Sequence, residues 1–147
     1  MSAIEAPVPV LYRRWLVIGA WYGIFAGLSL VVSALLPAQY GATQLLRTVF
    51  WLSAEGPGAL TPAARLATGV SGALTAGWGV MAYCLRPEEG APAAADRRAG
   101  RALATALVTW FLVDGAASVL TGGALNVIGN VTFLIALLPP SVAMARR

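Results

Sequence analysis

Four long apolar stretches, parted by short polar or proline-rich segments, organise this chain. The first runs from Trp15 to Leu36 and holds 22 residues without a formal charge. One helical crossing of a bilayer needs roughly 20 residues. Arg13 and Arg14 precede the run, Pro37 stops it, and residues 1–12, with Pro7 and Pro9, read as a tail. The run is longer than a signal-peptide core. Cleavage after Ala38 would also put Leu36 where a small residue is preferred, so it reads as an uncleaved span.

The second stretch covers about 63–85. Thr61-Pro62 is a good helix start, and Arg86-Pro87 closes the stretch. Its one formal charge, Arg65, lies near the start and can snorkel to the interface. The third covers about 101–121, after which Gly122-Gly123 offers a tight turn. The fourth covers about 124–143. Its plainly apolar part, 124–138, spans only about 22 Å at 1.5 Å per residue. A full crossing therefore needs the helix to continue past Pro139-Pro140, with a kink or broken turn. A re-entrant last hairpin is the competing expectation.

Two connections are long. Residues 86–100 (RPEEGAPAAADRRAG) read as a solvated cytoplasmic loop in which Glu88, Glu89 and Asp96 face water. Within 37–62, residues 42–52 carry Leu45, Leu46, Val49 and Phe50 toward one side, which suggests a short interfacial helix between spans 1 and 2.

Composition fits this pattern. Of 147 residues, 59% are hydrophobic and 11% are charged, against about 25% charged in a soluble domain. The expected fold is all-α: an integral membrane four-helix bundle forming a single transmembrane domain over 1–147. The net charge of +4 is carried by arginine alone. With four crossings, Arg13, Arg14, Arg86, Arg97, Arg98, Arg101, Arg146 and Arg147 fall on one side, and Arg47 and Arg65 on the other. The positive-inside rule then puts both termini in the cytoplasm. The arginine-only, alanine-rich composition points to a bacterial inner membrane. Basic residues that flank apolar spans set topology, so nucleic acid is not an expected partner.

Lipid gives helices little hydrophobic reason to associate, and small residues that let backbones approach are the usual substitute. Gly19, Gly23 and Gly27 recur every four residues in the first span, and Gly69, Ala73 and Gly77 in the second. Both sets are expected to face a neighbouring helix.

Asp114 is the chain's one polar surprise. It lies within LVTWFLVDGAASVL, where an unpaired charge costs roughly 2.5–3.5 kcal/mol on insertion scales. With the turn at Gly122, Asp114 and Asn130 sit equally far from it, roughly 12 Å down antiparallel helices. Asn126 lies one helical turn above Asn130, and Ser118 one turn above Asp114. Arg65 is a further candidate partner from the same side.

Other chemistry is sparse. The chain has no histidine, its one cysteine is Cys84, and it lacks GxxxxGK[ST] and HExxH motifs. No cofactor or metal site is expected. The leading expectation is a non-catalytic membrane subunit or scaffold. The alternatives are a small transporter or ligand-binding protein using Asp114, Asn126 and Asn130, or a membrane enzyme acting on a lipid-soluble substrate. The expected partners are membrane lipids and either further copies of the chain or a larger membrane complex.

Overall fold

A computed structural model describes residues 8–36, 61–88 and 92–147. The described residues form four helices: α1 (Val10–Leu35), α2 (Pro62–Cys84), α3 (Ala93–Leu120) and α4 (Asn126–Ala145). The segment 42–52, where an interfacial helix is expected, lies outside the described residues. The helices α1, α3 and α4 are each long and apolar enough to cross a membrane, which supports a membrane protein. At 23 residues α2 is long enough too, about 34 Å at 1.5 Å per residue. Its four glycines, Ser71, Thr68 and Thr75 leave it less apolar than the others.

Local signals explain the helix ends. The Thr61 side chain accepts from Ala64 N at 3.2 Å, with Pro62 in the first turn of α2. Gly122 closes α3 in the left-handed region, at φ 81°. Gly123 N donates to Ser118 O and Gly122 N to Val119 O, a Schellman pair. Three i→i−3 bonds, from Asn126, Val127 and Ile128, lead into α4.

The expected loop 86–100 needs correction. The third helix begins at Ala93, so much of the expected loop 86–100 is helix. Pro92 stands just before it and Asp96 in its first turn, a favourable N-terminal pattern. Asp96 does not face water. It is 4% exposed and ion-paired with Arg147, while Arg97 Nη1 donates to Arg147 O at 3.0 Å. The fourth helix, α4, continues through Pro139 and Pro140, as the length of a full crossing requires. Pro140 has no N–H to give Ala136 O. That carbonyl instead lies against Gly19 of α1, so close that a Cβ there would overlap it. A backbone Cα–H faces an oxygen without its usual helical donor.

Packing runs through three pairs: α1 with α2, α1 with α4, and α3 with α4. All are antiparallel. Gly27 meets Gly72 and Ala76, and Gly79 meets Ala20 and Ile24. Tyr22 bonds Thr132, and Gly100 packs against Ser141 and Ala145. The arginines of α1, α3 and α4 and Arg86 after α2 thus gather at one end of the bundle. Phe133 is the hub: its ring abuts Gly23, lies 5.3 Å from Trp110 and 6.3 Å from Tyr22. Toward the arginine-rich end, Leu16, Leu103, Leu107, Leu137 and Met144 are fully buried. Ile18, Phe25, Leu74, Leu112, Val113 and Ile135 are exposed, an apolar exterior suited to lipid.

The two glycine series behave differently. Gly19, Gly23 and Gly27 are buried at helix contacts. On α2 the contact face is Gly72, Ala76 and Gly79. Gly69 meets Ala34 Cβ at an ordinary 3.7 Å, Ala73 is exposed, and a Cβ on Gly77 would meet nothing within 4 Å. Of the expected stripe, Gly69 therefore stays at the edge of the α1 contact, while Ala73 and Gly77 turn away from it.

Candidate functional site

The α3–α4 hairpin brings four polar side chains together. Asn130 Nδ2 donates to Asp114 Oδ2 at 2.5 Å, and Asn126 Nδ2 donates to the same oxygen at 3.0 Å. Asn126 Nδ2 also donates to Ser118 Oγ at 3.0 Å. Asp114 and Ser118 are one turn apart on α3, and Asn126 and Asn130 one turn apart on α4, so two polar stripes face each other.

The hairpin itself sets this register. The Schellman closure at Gly122 and Gly123 holds the Ser118 carbonyl, and the short turn delivers Asn126 as the first residue of α4. Asn126 and Asn130 then point at Asp114 from the N-terminal turns of α4, where the helix dipole favours a carboxylate. Asn130 is 7% exposed, while Asp114, Ser118 and Asn126 are half-buried.

The arrangement uses one side of the carboxyl group. Among the described residues, Asp114 Oδ1 accepts no hydrogen bond, and neither do the side-chain oxygens of Asn126 and Asn130. Both amide hydrogens of Asn126 are used inside the cluster, whereas Asn130 keeps one N–H and Ser118 its hydroxyl hydrogen beside the acceptor oxygens. Chemically the site can tie two helices, hold a proton, or receive a donor.

Arg65 does not join this cluster. Its Nε donates to Ala34 O at 2.8 Å and its Nη2 to Leu36 O at 3.0 Å, so it caps the carbonyl end of α1. Little packing joins α2 to α3, which keeps Arg65 from Asp114. Other hydroxyls are used locally. Thr75 bonds Ser71 O, Thr68 bonds Ala64 O, and Ser141 bonds Leu137 O. Thr132 donates to Gly129 O at 2.7 Å, so the Tyr22 hydroxyl is the donor in the 2.9 Å bond between them.

Trp15, Trp21 and Trp110 pack against neighbouring rings. Trp21 lies 5.7 Å from Phe25 and 5.9 Å from Tyr83, and Trp110 meets Phe133 edge-on. One polar contact and one packing contact were not legible in the sequence: the Asp96–Arg147 pair and the close approach of Gly100 to α4. Pro92 with Asp96 in a first turn was the available signal for the helix start. Among the described residues no group of three His, Cys, Asp or Glu side chains could hold a metal ion.

Comparison with protein-family models, with curated proteins and with solved structures gave no match.

Proposed function

We propose that this chain is a small polytopic membrane protein acting as a non-catalytic subunit or scaffold. In this reading all four helices cross the bacterial inner membrane as a bundle, with both ends cytoplasmic. The antiparallel order and the eight arginines of one end support that topology. The less apolar α2 crosses with its glycine face on α1, which hides its backbone from lipid.

The observation that carries the scaffold reading is the closure of Asp114 Oδ2 by two amide donors, one from an asparagine 7% exposed. Those side chains fix α3 to α4 and so the shape offered to a partner. An Asp114→Asn substitution keeps an acceptor oxygen for Asn126 and Asn130 but removes the acid. A scaffold then assembles into its membrane complex, read by native electrophoresis of solubilised membranes, as the wild type does. Normal folding with lost cellular function would sink this reading.

A second reading is favoured by the unclaimed Asp114 Oδ1. A proton carrier or donor-binding site would use that oxygen with the amide oxygens of Asn126 and Asn130. It predicts proton or solute flux in liposomes that Asp114→Asn abolishes.

A further inference from the structure

A cleft of about 380 Å³ lies at the arginine-rich end, between the C-terminus of α2 and the first turns of α3. Leu85, Ala94, Ala95, Arg98 and Ala99 line it. We propose that this cleft seats an anionic phospholipid, with its phosphate on Arg98 and an acyl chain along α3.

Charge argues for the headgroup. Arg98 is exposed and has no hydrogen bond or ion pair among the described residues. The described acids at this end are Glu88 and Asp96; Asp96 is already paired with Arg147, and Glu88 does not line the cleft. Arg86 is stacked on Tyr83 at 4.1 Å and keeps a second cation close to α2's end. Arg98 is thus the charged side chain that lines the cleft among the described residues, and an anionic headgroup suits it.

Shape argues for the chain. Among the described residues, the lining side chains other than Arg98 are leucine or alanine. Below the cleft the same face of α3 continues as Ala95, Ala99, Ala102 and Ala106, following helical spacing. That face is turned well away from the α4 contact at Asp96, Gly100, Leu103 and Leu107. Little packing joins α2 to α3, so the alanine face opens on a seam between them. A free phosphate would use Arg98 and leave this seam unexplained.

Purified full-length protein in neutral detergent, titrated with dioleoylphosphatidylglycerol and followed by native mass spectrometry, tests the proposal. The wild type should retain this lipid in preference to dioleoylphosphatidylcholine, and glycerol phosphate should not compete. Arg98→Gln should weaken retention about fivefold, since one arginine near an anionic surface is worth about 1 kcal/mol. Ala95→Leu, which fills the cleft without changing charge, should weaken it too. Arg14→Gln, an exposed arginine on α1, should leave it unchanged. Both cleft positions are exposed, and thermal unfolding checks that each variant folds; Ala95→Leu tests the seat even if Arg98→Gln does not fold. The proposal is overturned by equal retention of the two lipids, by competition from glycerol phosphate, by equal losses from Arg14→Gln and Arg98→Gln, or by unchanged binding in the cleft variants.

Discussion

The same glycine-to-alanine change should have opposite signs on the two faces of this bundle. Take Gly27 first. A Cβ there would overlap Gly72 O and Ala76 N and stand 2.8 Å from Ala76 Cα. All three neighbours are backbone atoms, which cannot swing aside as a side chain can. Carbon atoms rest at about 3.5–4.0 Å, so α1 and α2 must part by about 1 Å. The damage would spread, because Gly72 and Gly79 lie on the same seam. A Cβ on Gly72 would sit 2.6 Å from Gly27 O, and one on Gly79 would sit 2.5 Å from Ala20 O, which measures how closely the two backbones approach. A gap of 0.5–1 Å forfeits about a quarter to a half of each contact's dispersion energy.

Overpacking of this kind costs about 1–3 kcal/mol. Alanine's better helix propensity returns at most about 1 kcal/mol, so Gly27→Ala should destabilise. Gly77 has no atom within 4 Å of its would-be Cβ. There only the propensity gain remains, and Gly77→Ala should stabilise by about 0.5–1 kcal/mol. Unfolding in mixed micelles, with sodium dodecyl sulfate as denaturant and far-UV circular dichroism as readout, gives both values. Equal losses at the two glycines, or a neutral Gly27→Ala, would refute the helix rotation argued here.

Three further substitutions have defined outcomes in the same unfolding assay. Asp114→Ala strips the acceptor from two amide donors and should cost about 1–3 kcal/mol, whereas Asp114→Asn should cost less; a double-mutant cycle with Asn130→Ala should show coupling, and strict additivity would contradict the contact. Arg65→Met keeps the stem but loses the bonds to Ala34 O and Leu36 O, and a loss of about 1–2 kcal/mol is expected for charged donors at a helix end. Asp96→Ala leaves Arg147, with its side chain 15% exposed, without its carboxylate, and a loss of about 3 kcal/mol is expected; stability equal to wild type would mean that the ion pair contributes nothing.

What was legible in the sequence follows the distance along the chain between partners. Asp114 meets Asn126 and Asn130 across a single hairpin, 12 and 16 residues away, so counting outward from Gly122 was enough to bring them together. The α1 stripe was legible because its three glycines form one series. The second span holds two competing series, Gly69–Ala73–Gly77 and Gly72–Ala76–Gly79, and the regular four-residue spacing belongs to the one whose Ala73 and Gly77 turn away. Only the fit against α1 selects the other, and no local spacing encodes that choice. The same reason hid Asp96, whose partner Arg147 lies 51 residues on; read locally, an acid among arginines looks solvated.

Pro139-Pro140 and Arg65 both bear on carbonyls that lack a donor within their own helix. A proline inside a helix frees a carbonyl, and the end of a helix exposes several. Sequence rules read the first as a break and treat the second as a boundary. In this fold one carbonyl of the first kind and two of the second are met from another helix: Ala136 O by the bare backbone at Gly19, and Ala34 O and Leu36 O by Arg65. The bundle thus answers unmet acceptors with whatever the neighbouring helix presents at that depth. Asp114 follows the same rule, since it is met by amides on α4, its packed neighbour, and not by Arg65 on α2, which barely touches α3. Arg65 and Asp114 therefore do not meet, because packing adjacency decides which partners each can reach.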